Sequence, residues 1–134
     1  MRSGSRRDFI GTAALLAGSA ITSSTAQAAD TVTPGYLITY SAGPAFLRGK
    51  PLGEQPLKEH FAYMLDLHRR GVLRMAGGFG DNSGGAAFID AANIDEARQI
   101  AEADPAVKTE VFSYQLQQWN LVPWQRLAER STAG

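Results

Sequence analysis

The 134-residue sequence has no cysteine, which excludes disulfides, thiolate nucleophiles and cysteine-ligated metals and agrees with an oxidising compartment. Neither sign of charge is in excess. Thirteen basic residues balance thirteen acidic ones, so nothing in the composition points to nucleic acid or an anionic membrane surface. Histidine is scarce. His60 and His68 are the two present, and at eight residues apart among scattered carboxylates they lack metal-ligand spacing. Neither a metal nor a cofactor is expected. Phe9 to Ile21 is apolar but too short to span a bilayer. The glycine-rich stretch from Gly77 to Gly85 has no Lys-Ser or Lys-Thr after it and leads into a strand, which excludes a phosphate loop and favours a hairpin. The length suits one compact domain.

The first residues have the order of an export signal. Ser5-Arg6-Arg7-Asp8-Phe9-Ile10 is similar to the twin-arginine motif, an apolar segment follows, and Ala26-Gln27-Ala28 offers small residues at alternate positions for signal peptidase. Residues 1–28 are therefore expected to be a cleaved twin-arginine signal and 29–134 the mature domain, periplasmic or secreted, with the twin-arginine translocase as a transient partner. Cleavage leaves ten basic against twelve acidic side chains, a mildly acidic protein.

The remaining chain predicts βαββαβ. Tyr36 to Tyr40 is aromatic and β-branched between Pro34-Gly35 and Gly43-Pro44, the signature of a strand. Residues 43–55 are expected to be a mobile loop. Leu57, Phe61, Met64, Leu65 and His68 follow helical spacing towards Gly71. Val72 to Ala76 and Ala86 to Asp90 predict two antiparallel strands across a wide hairpin. Asn93 and Glu96 form a capping box for a helix carrying Ala97, Ile100 and Ala101, which Asp104-Pro105 should end. Val111 to Trp119 predicts the last strand, with Phe112, Tyr114 and Leu116 on one face. A further helical turn is expected after Pro123. This is an α+β, ferredoxin-like plan: a four-stranded antiparallel sheet with two helices on one face. The other face would be left open in a monomer, so a sheet-to-sheet homodimer is expected.

His60-Phe-Ala-Tyr-Met, Gly71-Val-Leu73, Ala76-Gly77-Gly78, the strand ending Ala-Phe-Ile-Asp90, and Glu96-Ala97 leading to Ala103-Asp104-Pro105 together resemble the YciI-like, or YCII-related, family over roughly residues 34–122. The resemblance implies a dimeric α/β barrel with a histidine-containing crevice and a small-molecule enzyme of lyase, isomerase or hydrolase type. Four positions depart from the pattern. Leu57 stands where relatives often carry arginine, Ser41 and Ala42 where an acid often follows the first strand, and Ala106 where an aromatic often follows Asp-Pro.

His60 is the leading candidate for general base or acid. It falls at the positive end of a helix, which disfavours the imidazolium and favours a ring able to accept a proton. Asp104 is the candidate catalytic acid, oddly placed at a helix C-terminus unless its carboxylate serves the following turn. Both helices are expected to begin at the same end of the sheet, which places His60 and Asp104 at opposite ends, so that they would pair only across a dimer, if at all. Tyr40, Ser41 and Tyr63 are candidate substrate-binding residues, and His68 is expected to pack. Trp119 and Trp124 with Tyr36 and Tyr40 offer an aromatic pocket for a planar ligand, although core or dimer packing is the more common use of such residues. Two other readings stay open: a non-catalytic binding module on the same fold, and a haem-binding barrel, which lacks a histidine on a cavity-facing strand.

Overall fold

The computed structural model describes residues 34–133, so the expected signal and cleavage site lie outside the described residues. The order is β1 (Gly35–Ala42), a 3₁₀ turn (Leu52–Glu54), α1 (Lys58–Arg69), β2 (Leu73–Gly78), β3 (Gly84–Asp90), α2 (Ile94–Glu102), a short α3 (Pro105–Lys108), β4 (Phe112–Trp119) and α4 (Trp124–Ala133). The four strands form one antiparallel sheet in the order β2-β3-β1-β4. This is the α+β, ferredoxin-like architecture expected from the pattern.

Strand alternation sets the two faces. Tyr36, Ile38 and Tyr40 are buried together with Ala87, Ile89 and Phe112, against Met64 and Leu67 of α1 and Ala97 and Ala101 of α2. Leu37, Met75, Phe88 and Trp119 border a hollow on the opposite face, where Phe88 meets Trp119 edge-on at 5.3 Å and Arg74 lies over the Phe88 ring at 5.2 Å.

Several boundaries differ from the sequence expectation for identifiable reasons. The glycines are mostly strand: β2 runs on through Gly77-Gly78, and β3 begins at Gly84-Gly85. Close strand approach leaves no room for a Cβ at Gly85, where one would run into the Gly77 carbonyl oxygen. The hairpin loop shrinks to residues 79–83. Residues 43–55 are not a free loop either. Gln55, buried, donates to the carbonyls of Leu47 (2.7 Å) and Lys50 (3.0 Å) and accepts from the Leu47 N–H (2.8 Å), pinning the segment from within. Its 3₁₀ turn is tied to the hairpin loop where Leu52 N–H donates to Asn82 Oδ1 at 3.2 Å.

The helix ends follow the predicted chemistry. Gly71, at φ 78, closes α1 while its N–H bonds His68 O and Val72 N–H bonds Leu67 O, the paired bonds of a Schellman motif. Asn93 Oδ1 accepts from Glu96 N–H at 2.9 Å, and Glu96 reaches back to the Ala92 N–H at 3.1 Å, one residue earlier than the usual capping box. The turn expected after Pro123 extends to the ten residues of α4, none of them buried.

Candidate active site

The buried stripe of α1 is Leu57, His60, Met64 and Leu67, while Phe61, Leu65 and His68 are exposed. The expected stripe is thus rotated by about one residue, and His68 does not pack. A polar residue occupies the buried face because a partner meets it there. His60 Nδ1 lies 2.9 Å from Asp104 Oδ1 and 2.8 Å from Oδ2. Asp104 is fully buried.

The pair forms within one chain, which corrects the expectation of opposite ends. β1 and β3 run antiparallel, so a helix leaving the end of β1 and one leaving the end of β3 start at opposite ends of the sheet. The beginning of α1 and the end of α2 are therefore neighbours. Nor is Asp104 a mismatched charge at a helix C-terminus. It is the N-cap of α3, with Oδ1 accepting from Ala106 N–H at 2.9 Å. Its two oxygens are thus satisfied in the interior, as a buried carboxylate requires.

An ionised carboxylate can only accept, so it holds the proton of a neutral imidazole on Nδ1 and leaves the Nε2 lone pair free. Three aromatic rings surround the imidazole edge-on and fix its plane: Tyr40 at 5.5 Å, Phe112 at 5.6 Å and Phe61 at 5.7 Å. Burial first, and the Asp104 charge second, push the Tyr40 phenol far above its ordinary pKa.

His60 borders a hollow of about 230 Å³. One wall is Tyr40 and Phe112, another Leu57, Phe61 and Met64 of the α1 region, and Leu52 stands at its edge. The remaining wall is the paired ends of β2 and β3, from Ala76 to Gly78 and Gly84 to Ala86. A second hollow, about 310 Å³, meets His60 from the side of Glu59, Pro105 and Thr109.

The other expected site residues are placed apart. Ser41, one residue beyond Tyr40, is exposed on the opposite sheet face, and it borders neither hollow. Tyr63 donates its hydroxyl to the Ile100 carbonyl at 2.7 Å, tying α1 to α2, and also borders neither hollow; burial raises its pKa, with the Asp104 charge adding. The four-aromatic pocket does not assemble, because Tyr36 is in the core, Trp119 is against Phe88 and Trp124 is exposed. Leu52, Leu57 and the strand glycines were not foreseen as lining residues. A signal did exist for Phe61 and Met64, which flank His60 at helical spacing.

The fold and site define a ferredoxin-like α+β domain with a buried histidine–aspartate pair beside an apolar hollow. The chain belongs to the YCII-related domain family, whose model matches residues 35–120. It is similar to the uncharacterised protein YjpA of Bacillus subtilis (strain 168), 29% identical over 75 residues that make up 56% of this chain and 88% of that protein.

Proposed function

We propose that this YCII-related domain is an acid–base enzyme for a small molecule held in the 230 Å³ hollow. His60 Nε2 takes a proton from the bound molecule, and the same imidazolium returns it to another atom or to a leaving group. Asp104 is a positioning residue that fixes the tautomer and balances the charge that appears on the ring. The observation that carries this reading is the buried pairing of His60 Nδ1 with both Asp104 oxygens at the edge of the hollow. Among the described residues no serine, threonine, cysteine or lysine borders that hollow, which supports proton transfer, as in an isomerase or lyase, over covalent catalysis.

The test is His60→Gln on a panel of phenols and lactones. Turnover falls by about 10²–10⁴-fold while binding persists. Equal turnover in the variant overturns the reading, and wild-type binding without turnover favours a non-catalytic binding module instead.

Two further proposals concern context. Two copies pack through the open sheet face, a reading supported by exposed Met75 and Trp119 beside Leu37. The chain is exported by the twin-arginine route, a reading supported by Arg6-Arg7 and the residues after them; Arg6→Lys with Arg7→Lys should retain the protein in the cytoplasm, and undiminished export would reject the route.

A further inference from the structure

α4 rests on little of its own chain. None of its ten residues is buried, Leu127 alone is half-buried, and Trp124 is 72% exposed. A helix of that length is not held in water by its own hydrogen bonds, so it needs a surface to lie on. Its sequence suits one. Trp124, Leu127 and Ala128 follow helical spacing on one side, and Arg130, one turn beyond Leu127, flanks that stripe. Leu121 and Val122, exposed just before the helix, lengthen the apolar stretch. The family match ends at residue 120, so α4 is an addition to the shared domain.

The open sheet face is the complementary surface. Leu37, Met75, Phe88 and Trp119 border a hollow of about 380 Å³ there, and no residue of α4 lines it. Asp90, at the end of β3, alternates onto the same face as Phe88. Its Oδ2 lies 3.3 Å from Arg74 Nε, whereas its Oδ1 is buried without a hydrogen bond among the described residues. A carboxylate oxygen in that state costs stability until a donor reaches it. The face thus offers an apolar hollow and an unsatisfied acceptor, while α4 offers an exposed indole and a cation. Each chain carries both halves, so a two-fold axis lets each copy give its helix and receive the other's.

Resting on the proposed packing of two copies through the open face, we infer that α4 of each copy seats on the open sheet face of the other. Trp124 enters the hollow as the anchor, and Arg130 meets the unpaired Oδ1 of Asp90 of the partner subunit.

The experiment sediments the full chain at micromolar concentrations and follows amide hydrogen exchange over residues 121–133 across the same range. The parent dimerises, and the α4 amides gain protection as the dimer forms. Trp124→Ala and Arg130→Glu, both at exposed positions, keep the fold and each weaken the dimer by about tenfold or more. A dimer indifferent to either substitution, or α4 protection that does not depend on concentration, overturns this inference and leaves direct sheet-to-sheet packing standing. A parent that stays monomeric overturns both.

Discussion

His60 and Asp104, 44 residues apart in sequence, meet at 2.8 Å because two antiparallel strands send their following helices in opposite directions. The carboxylate does two jobs: it caps α3 through Ala106 N–H and binds the imidazole.

Those two jobs separate on mutation. Asp104→Ala loses the cap, about 1 kcal/mol, and leaves Nδ1 unpaired in the interior, about 1–3 kcal/mol, for a destabilisation of about 2–4 kcal/mol in denaturant unfolding. Asp104→Asn keeps an acceptor for Ala106 and should lose less. Equal losses in the two variants would show that the cap contributes nothing.

Alkaline stability should report the Tyr40 phenol. Its folded pKa is raised by burial and then by Asp104, so the folded state holds that proton more tightly than the unfolded chain, whose tyrosines titrate near about 10. The stabilisation is fully present below that pH and is lost as pH rises above it. Denaturant midpoints measured between about pH 8 and about pH 11 should therefore fall, and fall less steeply in Tyr40→Phe. Parallel slopes would show that Tyr40 ionises freely in the folded protein.

The open sheet face gives a third expectation. Met75 is 64% and Trp119 45% exposed, so Met75→Glu with Trp119→Glu should fold and, by placing like charges in the joint, sediment as a monomer where the parent sediments as a dimer. A parent that is monomeric at micromolar concentration contradicts the proposed packing.

Much of the fold is legible in local chemistry. Tyr36 to Tyr40 is strand by propensity, Asn93 and Glu96 mark the start of α2, and Gly71 ends α1 in the left-handed region that a Schellman motif uses. What escapes depends on partners remote in sequence. His60 sits in the buried stripe of α1, where hydrophobicity alone selects Phe61 and Leu65, because Asp104 removes the cost of burying it. Gln55 is buried for a similar reason: three backbone contacts satisfy it. The glycines at 77–78 and 84–85 look like loop by composition, yet they are strand, and at Gly84 and Gly85 neighbouring backbone comes too close for a side chain. Leu57 stands out in the sequence, but that it walls a hollow beside an ionisable ring depends on elements remote from it in the chain.

The most direct test of the central claim is a two-bond ¹H–¹⁵N spectrum of the His60 ring in the full chain, at a pH where the ring is neutral, with and without phenol. The account predicts a proton fixed on Nδ1 in both spectra, an Nε2 resonance that moves when phenol is added, and loss of the single tautomer in Asp104→Asn. A proton found on Nε2, or a ring indifferent to both the ligand and the variant, would contradict it.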